Sequence, residues 1–339
     1  MPRIILDCFG GDNSPLANVE AAALALNAHD DLNLILTGDQ NVIFEKLKSF
    51  CCDTSRIEII HAPDVIAADE KPTDVIRLRK DSSLVKAIET LRADDSIAGM
   101  VSVGATGSLV AGAVFRIGRL RGVIRPAFCP VMPTMNGGVV GVCDSGANVE
   151  CTPDYLEQFA VMGSLYMELV CGVSKPRVAL LNVGVETEKG DTLRKDTFAR
   201  LLTTEGINFV GNMESRDLMS GKYDLVVCDG FSGNVLIKST EGACLEVLKK
   251  LKKDINSRFI NKLGALLMSK MFKAEKEFMN YENYGGSVLL GAKKVIVKGH
   301  GSSKARGIAK CIEQVYLSDA GNYTQNAEAA IEKLPIIKR

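Results

Sequence analysis

Short apolar runs alternate with longer helix-like segments along most of this sequence, and this alternation most limits how the chain can fold. Arg3–Asp7, Leu32–Thr37 and Arg56–Ile60 have the composition of strands, and helical segments follow each of them. Strands separated by helices are typical of βαβ units, in which successive strands lie parallel. The alternation therefore predicts an α/β protein with a mostly parallel sheet.

Two local features suggest boundaries within this pattern. Ser14 is predicted to cap the first helix, with Pro15 at its first position. Residues 116–133 are rich in arginine and proline and are predicted to be a connector that ends the first half. Strands resume with Gly138–Asp144, so we expect the second half to begin close to that point.

The composition argues against several classes of partner. Forty-one basic and forty-one acidic residues cancel, so no overall field favours nucleic acid. The ten cysteines form no C-x-x-C pair and only three histidines occur, so we expect no metal site. No apolar run approaches the length of about 18 residues that a membrane span needs, and no signal peptide is expected. These features are typical of a cytoplasmic protein with reduced thiols.

Six predicted strand ends carry glycine together with Asp, Asn, Ser or Thr. In parallel α/β sheets, ligands bind at the carboxyl ends of the strands. Glycine-rich turns there expose backbone N–H groups that can hold a phosphate or an oxyanion, although tight turns use the same residues. Six such loops in one chain favour a shared polar cleft. They are residues 7–12, 104–108, 144–148, 182–190, 229–234 and 299–303.

Several standard motifs are missing. The sequence contains no G-x-G-x-x-G after the first strand and no G-x-x-x-x-G-K-[ST], so the usual dinucleotide and P-loop sites are disfavoured. It has no G-x-S-x-G nucleophile elbow. No nucleophilic triad is apparent from the spacing, although triads are recognised by geometry rather than by sequence order.

The polar residues of these loops each have a structural alternative to a functional role. His300 lies between two glycines and is either a donor to a ligand oxygen or a turn residue that caps the next helix. Lys189 binds phosphate or forms a surface ion pair with Glu186 or Glu188. Asp229 is either a functional carboxylate or a helix N-cap. The side chains of Asn148 and Asn234 either contact substrate or donate hydrogen bonds to loop carbonyl groups. Gly107 and Gly112 have the structural alternative of allowing close packing.

A long amphipathic segment follows the last of the central strands. Apolar residues recur at three- and four-residue steps from Cys244 to Leu266, and residues 249–276 contain nine Lys or Arg and two acidic residues. The conservative interpretation is a helical hairpin, at about residues 240–283, that packs on itself or on a second subunit. The alternative is that its tip contacts an anionic membrane or that its basic face binds an acidic protein.

Taken together, the loops resemble those of the phosphate acyltransferase family known as PlsX, over nearly the whole chain. The matching segments are, in order, D-C-F-G-G-D at 7–12, S-V-G-A-T-G-S-L-V-A-G-A at 102–113, R-P-A-F-C-P-V-M-P at 125–133, D-S-G-A-N-V-E-C at 144–151, residues 158–163, N-V-G-V-E-T-E-K-G at 182–190, residues 208–214, V-C-D-G-F-S-G-N at 227–234 and residues 284–303, which end in H-G-S-S.

This resemblance implies a fold and an organisation. It implies a three-layer αβα unit of the isocitrate- or isopropylmalate-dehydrogenase type, with the whole chain, 1–339, forming one intertwined unit. The expected halves are 1–135, together with C-terminal helices at 302–339, and 136–301. The resemblance further implies a homodimer that associates peripherally with an anionic membrane and supplies a membrane glycerol-3-phosphate acyltransferase.

The resemblance also implies a reaction, which is transfer of a long-chain acyl group from acyl carrier protein to inorganic phosphate, with no cofactor. Phosphate is itself the nucleophile, so the enzyme has to orient it and to stabilise the tetrahedral oxyanion. The residues assigned to catalysis are Lys189, Asp229, Asn234 and His300. Those assigned to substrate binding are Ser102, Gly104, Ala105, Thr106, Gly107, Ser108, Asp144, Asn148, Asn182, Gly230, Ser232, Gly233, Gly301 and Ser302. Those assigned to membrane or carrier contact are Lys262, Leu263, Leu266, Leu267 and Lys270.

Other functions remain open from the residues alone. A short-chain phosphate acyltransferase that uses a coenzyme A thioester would need the same cleft without a membrane-directed tip. A decarboxylating dehydrogenase of the same fold would need a carboxylate cluster for a metal and a nicotinamide site, and neither is apparent in the sequence. A membrane-recruited scaffold for carrier protein would show vesicle binding without turnover.

Overall fold

A computed structural model describes residues 1–66, 70–278 and 280–334. Residue 279 of the predicted hairpin and residues 335–339 of the predicted C-terminal helices lie outside these ranges. The strands within the described residues are β1 (Arg3–Asp7), β2 (Asn33–Gly38), β3 (Ile57–His61), β4 (Ile97–Ser102), β5 (Ala127–Cys129), β6 (Val131–Pro133), β7 (Val139–Cys143), β8 (Arg177–Asn182), β9 (Asn208–Glu214), β10 (Leu225–Val227), β11 (Ser287–Leu290) and β12 (Val295–Lys298).

Helices connect most of these strands. Over the same described ranges, the α-helices are α1 (Leu16–Ala28), α2 (Gln40–Leu47), α3 (Pro72–Leu78), α4 (Ser83–Ala93), α5 (Thr106–Gly112), α6 (Pro153–Leu169), α7 (Thr192–Leu201), α8 (Gly230–Ser257), α9 (Phe259–Leu267), α10 (Ser269–Phe278), α11 (Ala305–Ala320) and α12 (Tyr323–Glu332).

The described strands form two sheets. The first has the order β3-β2-β1-β4-β12-β11-β5, and the neighbours from β3 to β12 are parallel. The second has the order β6-β7-β10-β8-β9, and the neighbours from β7 to β9 are parallel. Helices pack against both sheets, and buried apolar side chains fill the space between the layers. The predicted three-layer α/β fold with mostly parallel strands is therefore confirmed.

Acidic and hydroxyl side chains fix the starts of four helices. Asp39, Ser82, Asp191 and Asp229 are the N-caps of α2, α4, α7 and α8, and each accepts a hydrogen bond from a backbone N–H of the first turn. Such caps satisfy donors that the helix itself leaves unpaired. Asp191 directly follows loop 182–190, so capping fixes the end of that loop. Asp229 begins the predicted loop 229–234, and its other residues, 230–234, are not a loop but the start of α8.

The N-terminus of α1 differs from the prediction. The helix begins at Leu16 with Pro15 at the cap position and no side-chain cap, so Ser14 is not the N-cap. Instead the Ser14 hydroxyl donates to the carbonyl oxygen of Gly11 at 2.9 Å. The hydroxyl therefore bonds to the loop before the helix and not to the helix N-terminus, because serine side chains readily form hydrogen bonds with nearby backbone groups.

The predicted connector at residues 116–133 contains regular structure. Residues 127–129 form β5 at the edge of the first sheet, and residues 131–133 form β6 at the edge of the second. The prolines of this segment indicated a loop, but an edge strand has one unpaired side and tolerates a residue without an N–H. The chain thus passes from the first sheet to the second within this connector, and it returns to the first sheet with β11.

One apolar cluster contains residues from both sheets. It includes Ile4 and Leu36 of the first sheet, Val178 and Leu225 of the second, and Tyr166 of α6. The helices α6, α11 and α12 contribute side chains to the same cluster. A hydrogen bond also links the edge of the first sheet to the second, because the Phe128 N–H of β5 donates to the Oδ1 of Asp144, which directly follows β7, at 2.9 Å.

The segment predicted as a helical hairpin consists of the end of α8, followed by α9 and α10. Buried residues of α8 are confined to its first turns, where Leu236 and Ile237 pack against the second sheet. Further along, large apolar side chains are exposed, including Phe259, Leu266 and Leu267 of α9. Among the described helices, none is long and apolar enough to cross a bilayer.

Candidate active site

A cavity of about 540 Å³ lies where the strand ends of the two sheets face each other. Thr106 and residues 299–302 contribute to its wall from the first sheet, and Ser145 and Asn234 contribute from the second. Four of the six predicted loops therefore meet at one place. A cavity of this size falls in the usual range for small-molecule sites, which is about 300–1,000 Å³.

The loops of the first sheet are held by a buried carboxylate. Asp7 ends β1, and its Oδ2 accepts a hydrogen bond from the Ser102 hydroxyl at 2.7 Å. The Ser102 Oγ in turn accepts from the Gly104 N–H at 3.1 Å. Burial raises the pKa of Asp7, although hydrogen bonds from Ser83, Ser102 and the Phe9 N–H favour its ionised form. Ser102 is fully buried and shapes the 104–108 loop from behind the cavity.

The same loops touch backbone to backbone. A Cβ on Gly10 would lie 2.6 Å from the Gly104 nitrogen, so only glycine permits this approach. The Asp12 N–H donates to the Gly301 carbonyl oxygen at 2.8 Å, and the Gly299 N–H donates to the Ser102 carbonyl oxygen at 3.0 Å. Loops 7–12, 102–106 and 299–302 thus form a single layer beneath the cavity.

In the second sheet, the buried carboxylate of Asp144 holds a strand-end loop in the same way. Its Oδ1 accepts from the N–H groups of Phe128, Gly146 and Ala147 at 2.9, 3.2 and 3.1 Å. Its Oδ2 accepts from the Asn148 N–H at 2.6 Å and from the Asn148 side-chain amide at 2.9 Å. Burial raises the pKa of Asp144, and these bonds oppose that shift. Asp144 and Asn148 therefore define the loop and do not line the cavity.

Asp229 caps α8 and forms an ion pair. Its Oδ1 accepts from the Ser232 N–H at 2.8 Å, and its Oδ2 is paired with the Arg194 guanidinium. Arg194 also contacts Asp191 at 3.0 Å and the Ser232 hydroxyl at 3.1 Å. The helix-cap alternative for Asp229 is therefore realised, and this carboxylate has its partners within the protein.

Lys189 lies on an exposed loop and does not line the cavity. The alternative of an ion pair with Glu186 or Glu188 is not realised, since no described carboxylate lies within 4.0 Å of its Nζ. Asn182 holds this loop, because its amide donates to the Lys189 carbonyl oxygen at 3.1 Å and its Oδ1 accepts from the Val183 N–H at 2.8 Å.

His300 and Asn234 present polar side chains to the cavity from opposite sheets. The Ser302 N–H donates to the His300 Nδ1 at 3.3 Å, and the Ser302 hydroxyl lies 2.8 Å from the same atom. A neutral imidazole whose Nδ1 accepts a hydrogen bond carries its proton on Nε2. The Asn234 amide donates to the Ser145 carbonyl oxygen at 3.3 Å, which fixes its position at the rim.

The cavity thus divides the residues assigned from sequence into two groups. Those that line it are Thr106, Asn234, His300, Gly301 and Ser302. The others lie behind it or in neighbouring loops, and they are Ser102, Gly104, Ala105, Gly107, Ser108, Asp144, Asn148, Asn182, Lys189, Asp229, Gly230, Ser232 and Gly233. Gly107 and Gly112 have packing roles, because a Cβ would lie 2.8 Å from Pro72 and 2.3 Å from Ile88 respectively.

The sequence reasoning missed Lys298, which ends β12 and lines the cavity. It pairs in register with Ser102 of β4. Burial lowers its pKa to about 8, although the neighbouring Asp7 and Asp12 carboxylates act in the opposite direction. A signal was present, since Lys298 is the one charged residue of an otherwise apolar strand and directly precedes a strand-end loop.

An apolar wall continues from the polar end of the cavity and was also missed. It comes from the predicted connector, from Met219 before β10 and from one face of α8, which are distant in sequence. Only Cys244 and Leu248 belonged to the amphipathic stripe that the sequence indicated. The apolar lining residues are Phe128, Pro130, Val131, Met132, Pro133, Met219, Ile237, Cys244, Leu245 and Leu248.

Solved structures with the same fold include acyl-transferring and dehydrogenase proteins. A phosphotransacetylase from Streptococcus pyogenes matches with a TM-score of 0.58 at 16% identity, over 98% of this chain and 94% of that one. A 4-hydroxythreonine-4-phosphate dehydrogenase, described as putative, from Salmonella typhimurium matches with a TM-score of 0.50 at 14% identity, over 93% and 99%. At these identities the likeness concerns the fold alone.

Sequence comparison is more specific. A family model described as fatty acid synthesis protein matches residues 2–321. A phosphate acyltransferase from Clostridium acetobutylicum is 40% identical over 331 residues, which are 98% of this chain and 99% of that protein. A phosphate acyltransferase from Streptococcus uberis is 43% identical over 316 residues, which are 93% of each. The chain therefore belongs to the phosphate acyltransferase family and is an acyltransferase.

Proposed function

We propose that this enzyme transfers a long-chain fatty acyl group from acyl carrier protein to inorganic phosphate and so supplies acyl phosphate for phospholipid synthesis. The observation that carries this proposal is the composition of the cavity. One end is built from strand-end loops with Thr106, Asn234 and His300, and the rest is an apolar wall that runs along α8. An anionic nucleophile suits the first part, and an acyl chain suits the second.

The proposed chemistry needs no nucleophilic side chain. A phosphate oxygen attacks the thioester carbonyl, the carbon–sulfur bond breaks, and the proton of the phosphate ends on the released thiol. A free cysteine-like thiol has a pKa of roughly 8.5, so the thiolate leaves readily. The enzyme has to orient the two reactants and to donate hydrogen bonds to the tetrahedral oxyanion.

We assign the donors from the geometry of the cavity. The His300 Nε2–H and the Asn234 amide approach from the two sheets and are proposed to bind the oxyanion. Thr106 and the backbone of loop 104–108 are proposed to bind phosphate. Asp229 and Asn182 are proposed to act indirectly, because Asp229 positions the start of α8 and Asn182 positions loop 182–190. Lys189 is exposed on that loop and is proposed to contact the acyl donor near the mouth of the cleft.

The basic surface of α8–α10 supports a carrier protein as the donor. Residues 249–276 carry an excess of seven positive charges, which would attract an acidic partner. Lys262 and Lys270 flank exposed Leu263, Leu266 and Leu267, and this combination also suits peripheral contact with an anionic membrane. We propose that the enzyme works there as a homodimer and passes its product to a membrane glycerol-3-phosphate acyltransferase.

A direct comparison of donors tests the proposal. Purified enzyme is incubated with phosphate and with palmitoyl carrier protein, palmitoyl coenzyme A or acetyl coenzyme A, and both free thiol and acyl phosphate are measured. We expect the highest kcat/KM with palmitoyl carrier protein. Faster turnover of acetyl coenzyme A would instead establish the short-chain alternative, and thiol release without acyl phosphate would reject phosphate as the acceptor.

A further inference from the structure

Lys298 is a half-buried cation at the polar end of the cavity. It is the last residue of β12, its register partner is Ser102 of β4, and the Gly299 N–H that follows is bound to the Ser102 carbonyl oxygen. The lysine therefore stands over the layer formed by loops 7–12, 102–106 and 299–302. Thr106 and Ser302 line the same cavity.

Stability does not account for a lysine at this position. Removal of an ammonium from water is unfavourable, and a buried charge is stabilising only when its geometry and hydrogen bonds are nearly ideal. At the end of the apolar segment Val295–Val297, an apolar side chain of similar size would fill the space at lower cost. The charge is thus better explained by a ligand than by packing.

Few groups within the protein balance the charge of the Lys298 ammonium or accept its hydrogen bonds. Its Nζ donates to the Gly299 carbonyl oxygen, and its other N–H donors have no partner among the residues that the structure describes. Asp7 and Asp12 are close enough to influence its charge, but no described carboxylate lies within the 4.0 Å of an ion pair. Asp7 is already bound to Ser102 and to the Phe9 N–H.

The other lysine of the lining, Lys238, provides a contrast. Its Nζ lies 3.8 Å from the Glu241 carboxylate, and its side chain is 60% exposed. Solvent and Glu241 therefore already balance its charge. Of the described residues that line the cavity, Lys298 is the lysine whose charge an entering anion would balance.

We propose that Lys298 binds the phosphate nucleophile through its ammonium group, at the end of the cavity formed by β4 and β12. This assignment rests on the proposed function, since it takes inorganic phosphate as the acceptor. An ammonium donates up to three hydrogen bonds and attracts phosphate as a point charge. Bound there, phosphate lies beside Thr106, and its attacking oxygen faces the part of the cavity that holds the acyl group.

The test compares three substitutions. Lys298→Met keeps the apolar stem and removes the charge, Lys298→Arg keeps a charge, and Lys238→Met is the matched control on the same cavity. We expect Lys298→Met to raise the KM for phosphate by about ten- to a hundredfold and to leave the KM for the acyl donor within about twofold. Lys298→Arg should retain most phosphate affinity, and at pH 7, where Lys298 is charged in either protein, Lys238→Met should leave it unchanged.

The pH dependence provides a second readout. The groups that act on this ammonium are Asp7 of β1, Asp12 of the following loop, Lys238 of α8 and Cys311 of α11. Because the pKa of Lys298 is about 8, its charge is present below that pH and is lost above it. The KM for phosphate should therefore rise above about pH 8 in the unaltered enzyme and stay level over the same range in Lys298→Arg.

Direct binding of phosphate separates this inference from the proposed function. Equilibrium dialysis with labelled phosphate is carried out on each variant, after circular dichroism has confirmed its fold. If Lys298→Met binds phosphate more weakly and the unaltered enzyme forms no acyl phosphate, the lysine assignment is upheld and the proposed reaction is rejected. Normal turnover and normal phosphate affinity in Lys298→Met would reject the lysine assignment and uphold the reaction. Failure of the unaltered enzyme to bind phosphate would overturn the assignment as well.

Discussion

At the scale of single residues, the buried polar side chains support the site from behind. Asp7, Ser102 and Asp144 are almost completely shielded from water, and each has hydrogen bonds to backbone N–H groups of a strand-end loop. A buried polar group without a partner is costly, so these bonds fix one loop conformation. They allow the cavity itself to be lined by more exposed residues such as Thr106 and His300.

We expect Ser102→Ala to reduce stability and to loosen loop 104–108. The substitution removes one hydrogen bond to Asp7 and leaves the Gly104 N–H without its acceptor, which should lower the free energy of unfolding by about 1–3 kcal/mol. Urea unfolding measures the loss. Thr106→Ala, on the exposed side of the same loop, should change stability by less than about 0.5 kcal/mol, and an equal loss in both variants would contradict this role.

The ion pair between Arg194 and Asp229 makes a second prediction. Arg194→Leu leaves the carboxylate of Asp229, whose side chain is 9% exposed, beside Ser232 without its cation. Since the guanidinium is itself partly exposed, we expect a loss of about 2–3 kcal/mol, somewhat below that of a fully buried pair.

A double-mutant cycle tests this assignment. The additional change Asp229→Asn removes the unpaired charge, so the double variant should recover part of the lost stability in urea unfolding. Strictly additive losses would mean that the two residues do not interact. Activity measured on the same proteins then separates the structural role of Asp229 from any contribution to turnover.

At the scale of elements, α8 links three parts of the molecule. Its first turn packs against loop 144–148, where a Cβ on Gly233 would lie 2.0 Å from the Asp144 carbonyl oxygen. Its middle, from Ile237 to Leu248, forms one wall of the cavity. Its end leads into the exposed apolar surface of α9. One helix therefore connects the polar end of the site with the surface to which we assign membrane contact.

The exposed surface of α9 gives a prediction for this element. Leu266→Glu combined with Leu267→Glu should abolish binding to vesicles rich in phosphatidylglycerol, because both side chains are largely exposed and two charges would enter the interface. Turnover of a coenzyme A thioester, which does not need the carrier-binding surface, should remain within about twofold, since neither residue lines the cavity. Vesicle co-sedimentation measures the binding.

The control for this experiment lies on another helix. Leu202 follows α7 and is 64% exposed, so Leu202→Glu places the same charge on a surface that has no assigned contact. It should leave vesicle binding unchanged. Retained binding in the α9 double variant, or an equal loss in Leu202→Glu, would reject membrane contact through α9.

At the scale of the whole molecule, the two sheets share their packing. The Gln314 amide of α11 donates to the Tyr166 hydroxyl of α6 at 2.9 Å, and the Tyr323 hydroxyl of α12 donates to the Met162 carbonyl oxygen at 3.3 Å. The rings of Tyr166 and Tyr323 meet edge to face at 5.9 Å. The C-terminal helices thus pack on a helix that covers the second sheet.

This shared core predicts one cooperative unfolding transition. Differential scanning calorimetry should give a calorimetric enthalpy close to the van't Hoff enthalpy, because neither sheet keeps a complete core when the other unfolds. Tyr166→Ala should cost about 3–5 kcal/mol and lower the transition temperature without splitting it. Two resolved transitions, in either protein, would show that the sheets are independent.

Much of the architecture was predictable from sequence, and much of the site was not. The period of the apolar residues identified nearly every parallel strand, and the glycine-rich strand ends identified the loops that meet at the cavity. The role of Asp144 was not predictable, and for Asp229 the choice between a functional carboxylate and a helix cap stayed open, because a carboxylate at a strand end has the same appearance whether it binds a ligand, a loop or an arginine. β5 and β6 were missed because the prolines in and around them argue against strands in the sequence, whereas an edge strand tolerates proline in the folded protein.

The sequence by itself determined that this chain forms parallel α/β layers, with phosphate-compatible loops at its strand ends and a basic amphipathic segment after them. Its similarity over nearly the full length also determined its family. Only the tertiary structure decided which loop residues reach the cavity, that an apolar wall from β5, β6 and α8 continues it, and that Lys298 stands beside Ser102. The physical reason is that local periodicity encodes secondary structure, whereas a site is made by strand pairing and helix packing between residues far apart in the chain.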